Sequence, residues 1–388
     1  MKVTEVRSHL CFAQWRNWLF VEVVTDGGLV GLGEATTEGR ELAVLGQIDD
    51  AARYLVGKDP FDINEHVRYF TRDVFWVGGY AATTALAAIE IAMWDVIGKA
   101  LGVPVWQLFG GRLRKRVRVY ANGWYFGAGT EAEWAERAAA VVERGYLALK
   151  FDPFGQAGPV MERDALDESV GVISAVRAAV GPKVDIMIEG HGRFDVASAI
   201  RIGRALEHFS CAWFEEPIIP GNAASLARVA QAVPIPIATG ERSYSAQEFA
   251  DLLMAQSAAI IQPDVIHCGG LNALRRIGAL AELWNVAIAP HNPNGPVATA
   301  ATLAIGAIAP NLMVQEVLEP FDVPWRHEVV VGCPAPVDGF LDIPDRPGLG
   351  VELDVQACAS HPYCPVDPDL FSDKSILNTV APIEGTAG

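Results

Sequence analysis

Seven polar residues punctuate the chain from its middle onward: Lys150, Glu189, Glu215, Glu241, Asp264, His291 and Glu316. Each closes a short apolar run, in "LALK", "IMIE", "AWFE", "IATGE", "IIQPD", "AIAPH" and "LMVQE". Three glutamates held close together repel one another unless something positive sits among them, and a divalent cation is the economical source of that charge. Oxygen ligands without a cysteine favour Mg²⁺, with Mn²⁺ possible, over Zn²⁺. Asp264 and His291 end adjacent runs, so the carboxylate can orient the imidazole and raise its basicity, which makes His291 a candidate general base.

His191 stands two residues beyond Glu189 in a Gly-His-Gly context and should reach the same place from nearly the opposite side. Lys150 can neutralise developing charge, and Glu316, protonated or hydrogen-bonded, can hold a carboxylate oxygen. Together these groups fit removal of a proton next to a carboxylate, which is barely acidic until the resulting enediolate is stabilised. What leaves, or where the proton returns, stays open at this level. Two imidazoles facing one carbon would serve a racemase or epimerase. A glycoside hydrolase with Glu215 as acid would leave the Asp/His dyad and the third carboxylate without a use, and a non-catalytic barrel would need none of them. Glu216, beside Glu215, points to the other side of its strand and reads as a structural partner.

The elements that must carry these residues follow from their spacing. After an interval of 39 residues from Lys150 to Glu189, the steps are 26, 26, 23, 27 and 25. Each step holds one strand, one helix and two short loops. Repeated units of this kind predict an α/β fold with a parallel sheet closed into a TIM-type (β/α) barrel, its active site at the C-terminal ends of the strands. Thr130 and Glu133 form a capping box for a helix whose apolar face is Trp134, Ala138 and Val141, with Gly145 to stop it. The first 120 or so residues differ. "FVEVVTDGGLVGLGEA" reads as two strands about an Asp-Gly-Gly turn, and "YAATTALAAIEIAMWDVIGKAL", residues 80–101, as a helix ending at Gly102, so this part is α+β.

Composition narrows the function classes. The 388 residues are 51% hydrophobic and carry a net charge of −17, from 47 acidic against 30 basic residues. That surface repels phosphate backbones, so no nucleic-acid partner is expected. No apolar run approaches a membrane span and the start lacks a signal-peptide core, which predicts a cytoplasmic protein without a membrane partner. The six scattered cysteines lack a CxxC and are expected to be reduced. Cys358, His361 and Cys364 match no common zinc spacing and read as a loop.

The blocks "DGGLVGLGEA", "ALAAIEIAMWDVIGKALGVPVWQLFGG", "WFEEPI", "IATGERSYS", "IIQPDVIHCGGL", "AIAPHNPNGPVATAA" and "RPGLGVELD", in this order from about residue 20 to 355, resemble the enolase superfamily in its mandelate racemase subgroup. Among its members the chain looks most like the galactonate-dehydratase type of acid sugar dehydratase. The resemblance implies a modified barrel, residues 123–325, under an N-terminal α+β capping domain, residues 1–122, completed by residues 326–388. It implies one Mg²⁺ per active site on Glu189, Glu215 and Glu241, Asp264 with His291 taking the α-proton, His191 protonating the departing 3-hydroxyl, and Glu316 near the substrate carboxylate. The product is then a 2-keto-3-deoxy acid made from an aldonic or aldaric acid, and a homo-oligomer, dimer or octamer, is expected.

Two positions depart from the family's pattern. Glu189 stands where Asp is common, one methylene longer, and "KFD" puts Asp152 where many relatives carry the second lysine of Lys-x-Lys, leaving His291 as the principal base. Specificity is expected from the capping loops. "FAQWRNW", residues 12–18, is read as preceding the first long strand and as bringing Trp15 and Arg16 toward the lid. There Arg16 would bind a hydroxyl or a distal carboxylate, unless it stands solvated beside core tryptophans. Trp15, Arg16 and Asp152 form the expected substrate-binding set.

Overall fold

A computed structural model describes residues 1–366, so the end of the expected segment 326–388 lies outside the described residues. The chain opens with β1 (Val3–Ala13), β2 (Arg16–Thr25) and β3 (Val30–Glu34), an antiparallel sheet in that order. Helices α1 (Glu41–Leu55), α2 (Ile63–Arg68), α3 (Tyr80–Leu101) and α4 (Val105–Leu108) follow. α3 ends as its sequence predicts, on Gly102 in the left-handed region at φ 68°.

Two glycines explain how closely α3 lies on the sheet. A Cβ at Gly31 or Gly33 would stand 2.0 Å from the carbonyl oxygens of Ala92 and Ala88, so only glycine permits this approach. By length and composition α3 could cross a membrane, yet 78% of its most apolar stretch is buried inside the protein, where it is the central helix of the first domain.

The second unit runs β4 (Arg116–Ala121), α5 (Glu131–Glu143), β5 (Ala148–Phe151), α6 (Arg163–Val180), β6 (Asp185–Glu189), α7 (Val196–Ala205), β7 (Trp213–Glu215), α8 (Ala223–Ala232), β8 (Ile237–Thr239), α9 (Ala246–Met254), β9 (Ile260–Ile261), α10 (Leu271–Leu283), β10 (Ala287–Ile288), α11 (Pro296–Gly306) and β11 (Gln315–Val317). Its strands are parallel in the order β11, β4, β5, β6, β7, β8, β9, β10. A parallel bridge between Ile288 and Leu312 brings β10 back to the approach of β11 and closes the barrel. The Thr130/Glu133 capping box is present at α5. The chain continues through α12 (Arg326–Val329), β12 (Val330–Val331), β13 (Phe340–Asp342), β14 (Glu352–Leu353) and α13 (Val355–Ala359).

Two boundaries differ from the sequence expectation. β4 belongs to the barrel although it lies inside the range 1–122; no βα interval precedes the first strand, so spacing gives it no mark. β13 pairs antiparallel with β4 and thus joins the barrel rather than the cap, whereas α13 packs on β1.

The barrel interior decides which residues reach the site. Tyr120, Ala148, Met187, Trp213, Ala238, Ile260, Ala289 and Val314 plug it, one at or next to each strand. Side chains alternate along a strand, so the residue two places on faces the same interior, one layer nearer the mouth. From Tyr120, Ala148, Met187, Trp213, Ala289 and Val314 this step reaches Asn122, Lys150, Glu189, Glu215, His291 and Glu316.

Two buried carboxylates of the first domain fix it over that mouth. Glu34 accepts the N–H groups of Gly295, Val297 and Ala298 at 2.6, 3.0 and 2.8 Å, at the N-terminus of α11. Glu90 accepts those of Leu271 and Asn272 at 2.8 and 3.0 Å, at the N-terminus of α10. Unpaired N–H groups and the positive end of the helix dipole both favour a carboxylate there. The loops so anchored carry Asp264 and His291.

Candidate active site

A cavity of about 390 Å³ lies between the strand ends and the first domain. Lys150, Glu189, Glu241, His191 and His291 line its floor and sides, and Trp15, Thr37, Glu38, Arg40 and Tyr80 come from the domain above. Glu189, Glu215 and Glu241 offer carboxylate oxygens that all lie within 4.8 Å of one another, a group able to hold a metal ion. Lys150 Nζ sits beneath them, 2.5 Å from Glu215, 3.1 Å from Glu189 and 3.1 Å from Glu316. Burial works against a charge on Lys150, but Glu215, Glu316 and Glu189 outweigh it and hold its pKa well above the ordinary lysine value.

One ammonium does not balance so many carboxylates. Burial and the neighbouring charge of Glu189 push the pKa of Glu215 well up, whereas at Glu189 the charges of His191 and Lys150 overcome burial and hold it down. Trp213 Nε1 donates to Glu215 at 2.7 Å and fixes its rotamer. The Oε2 of Glu189 is the oxygen that lies 3.1 Å from Lys150 Nζ. Three converging carboxylates with a single ammonium beside them fit an all-oxygen site for a hard divalent cation. The longer Glu189 side chain still reaches the group, with its Oε1 taking the N–H of His191 at 2.7 Å.

On one side of this group His291 Nδ1 lies 2.8 Å from Asp264 Oδ2, and its Nε2 lies 3.5 Å from Glu241. Asp264 is held by Asn294 Nδ2 at 2.7 Å and the N–H of Ile266 at 2.9 Å. Burial disfavours the imidazolium of His291, yet Glu241 and Asp264 raise its pKa well above the ordinary value. His191 has a matching arrangement, its Nδ1 2.6 Å from Asp152 Oδ2. Its backbone is left-handed at φ 46°, an uncommon state for a residue other than glycine, asparagine or aspartate. Glu316 takes the N–H of Asn292 at 2.9 Å and the amide of Asn122 at 2.7 Å. Burial opposes its charge, but Lys150 and His291 keep its pKa below the usual value, so it is a carboxylate rather than a protonated acid.

Three expectations need correction. "FAQWRNW" does not precede the first long strand. It is the turn of the hairpin formed by β1 and β2, with Gln14 at φ 66°, and only Trp15 at its tip reaches the cavity. Arg16 is neither at the cavity nor solvated. It is fully buried, 3.0 Å from Asp322, with its guanidinium 4.2 Å from the Trp15 ring, and it donates to the carbonyl of Asn294. Asp152 is likewise buried outside the cavity lining, bound to His191 and Arg193. Glu216 follows its expected role and pairs with Arg242, whose Nε lies 2.8 Å away. In the C-terminal segment His361 stacks on Trp325 at 4.2 Å, and Cys358 is buried.

Sequence reasoning missed Asn122, His267, Arg242, Tyr80 and the capping residues Thr37, Glu38 and Arg40. Asn122 carries the same signal as the others, a polar residue ending a strand, and is legible once β4 counts as a barrel strand. His267 lies one turn past Asp264, and the remainder enter through loops without a repeat.

Two family models match the chain. Enolase C-terminal domain-like covers residues 133–357, and the mandelate racemase / muconate lactonizing enzyme N-terminal domain covers residues 9–110. The chain is 36% identical over 344 residues to D-gluconate dehydratase of Thermoproteus tenax, spanning 88% of this chain and 69% of that protein. It is 36% identical over 358 residues to D-galactonate dehydratase of Verminephrobacter eiseniae, spanning 91% and 92%. Among solved structures, a mandelate racemase/muconate lactonizing enzyme from Sulfitobacter sp. superposes with a TM-score of 0.88 at 36% identity, over 94% of this chain and 96% of that one.

Proposed function

The chain belongs to the enolase superfamily, in its mandelate racemase / muconate lactonizing enzyme family, and from that premise we propose that it is a hydro-lyase that dehydrates a sugar acid to a 2-keto-3-deoxy acid. The observation that carries this reading is the pair of His/Asp dyads, His291 with Asp264 and His191 with Asp152, on one cavity with three glutamates. The relatives named D-gluconate and D-galactonate dehydratase support the choice of an aldonic acid, with an aldaric acid as the related alternative.

Glu189, Glu215 and Glu241 would hold Mg²⁺, which when bound supplies electrophilic stabilisation of charge on the substrate carboxylate. His291, held by Asp264 through Nδ1, takes the α-proton on Nε2 as the neutral imidazole; a cation held by Glu241 and its neighbours would offset the carboxylate charge that otherwise favours the imidazolium. The C–H electron pair first moves into the carboxylate to give an enediolate. Its return forms the C2–C3 double bond of an enol as the C3–O bond breaks, and His191 delivers the proton that lets the 3-hydroxyl leave as water. The enol then gains a proton at C3 to become the 2-keto acid. Lys150 offsets the negative charge that develops on the carboxylate.

Two facing imidazoles also suit an epimerase, in which His191 would return a proton to the carbon that His291 deprotonates. Incubation with Mg²⁺ and a panel of aldonic and aldaric acids, with semicarbazide detection of 2-keto product, separates the two. Dehydration predicts keto acid that is lost with chelator and in His291→Ala. Epimerisation predicts no keto acid and solvent deuterium in recovered acid.

A further inference from the structure

A third imidazole lines the cavity without a part in the proton chemistry. His267 follows β9, is only 9% exposed, and has its Nδ1 2.8 Å from the hydroxyl of Thr84 on α3. His191 and His291 are each held by a carboxylate through Nδ1, whereas the Nδ1 partner of His267 is the hydroxyl of Thr84. Among the described residues, its Nε2 has no hydrogen-bond partner. The ring lines the cavity, so the partner open to this nitrogen is a group that enters the cavity.

We propose that His267 is a substrate-positioning residue that takes a hydroxyl of the sugar acid on Nε2, with Thr84 holding its ring. This rests on the dehydratase reading and deepens it. A hydroxyl is the group that suits the site, because it can donate or accept and so satisfies Nε2 in either tautomer. A second carboxylate suits it poorly, because Asp264 and Glu241 already stand on this side of the cavity. The contact also joins the two parts of the protein: Thr84 belongs to the first domain and His267 to the barrel, so the imidazole turns correct closure of the domains into correct placement of the substrate.

The test is a kinetic cycle with Mg²⁺. The sugar acid turned over by wild-type protein is compared with its 4-deoxy, 5-deoxy and 6-deoxy analogues, in wild type, His267→Ala, His267→Gln and Thr84→Val. Loss of one buried hydrogen bond predicts that wild type disfavours one of these analogues by about 10- to 100-fold in kcat/KM. His267→Ala should lower kcat/KM for the parent acid by a similar factor and leave that one analogue nearly unchanged. His267→Gln, which keeps a donor and an acceptor, should restore part of the loss, and Thr84→Val should reproduce part of it for the same hydroxyl. Equal losses on all analogues, or no loss, would overturn the proposal.

If wild-type protein converts no sugar acid at all, the dehydratase reading fails, and binding tests the hydroxyl contact by itself. D-galactonate and D-gluconate should then raise the thermal midpoint more than hexanoate does, with the excess lost in His267→Ala. No excess, or the same excess in the variant, overturns it.

Discussion

The Nδ1 of His291 lies 2.8 Å from the Oδ2 of Asp264, so the imidazole presents Nε2 to the cavity in a fixed orientation. The aspartate owes its own position to Asn294 and to the backbone N–H of Ile266, at 2.7 and 2.9 Å. Asp264→Asn keeps the shape but offers His291 an amide, which can stabilise the wrong tautomer and no longer supports the imidazolium. Turnover should fall by roughly 10²- to 10⁴-fold, with little change in thermal midpoint. Steady-state kinetics beside thermal unfolding checks this, and a loss of activity that tracks unfolding would reduce Asp264 to a structural role.

Lys150 touches Glu189, Glu215 and Glu316 from the barrel interior. Its replacement by methionine leaves buried carboxylates without their cation. Breaking a buried ion pair from one side costs about 3–5 kcal/mol, so Lys150→Met should be destabilised by that order in chelator. A divalent cation held by Glu189, Glu215 and Glu241 replaces part of the missing charge, so the deficit should shrink in Mg²⁺. Urea unfolding of both proteins in both conditions measures it, and an equal deficit with and without Mg²⁺ would argue against a cation at this group.

Much of this arrangement was legible because strand periodicity and βα spacing are local properties. The residues two places past Met187 and Trp213 must face the mouth if those two face the interior, and the 26-residue step repeats the geometry at the next strand. Arg16 was not legible: its partner Asp322 lies 306 positions along the chain, and neither residue carries a mark of the other. Asp152 was placed near the site but in the wrong role, since only folding reveals that His191 and Arg193 claim its carboxylate. Glu34 and Glu90 sit in strand and helix patterns that hide their work as caps on α11 and α10.

Glu90 gives a pH signature. Burial outweighs the N–H groups of Asn272 and Leu271 and the indole of Trp94, and pushes its pKa up from 4.5 to about 7. A carboxyl raised in the folded state binds its proton more tightly there than when unfolded. Its linkage therefore lowers stability as pH rises from about 4.5 to about 7, with no further change above that window. The full effect is on the order of 3 kcal/mol. Glu90→Gln removes this titration, so the difference in unfolding free energy between variant and wild type should shift in favour of the variant across that window. Urea titrations at intervals from about pH 3.5 to about pH 8, roughly one unit either side of the window, measure it; a pH-independent difference would mean that burial does not raise the Glu90 pKa.

Asp152 offers the sharpest separation of the two halves of the reaction. Its Oδ2 lies 2.6 Å from His191 Nδ1 and also binds Arg193, while His291 depends on a different carboxylate on the other side of the cavity. Asp152→Asn should therefore misorient His191 and leave His291 in place. Keto-acid formation is expected to fall by about 10²-fold or more, whereas exchange of the substrate α-proton with solvent deuterium should persist within about threefold of wild type. Asp152→Glu, which keeps the charge but lengthens the reach, should recover part of the dehydration. Proton NMR of recovered acid and semicarbazide detection of product, run on the same samples, give both rates. If exchange and dehydration fall together, Asp152 supports the site as a whole, and the assignment of His191 to the leaving hydroxyl loses its independent support.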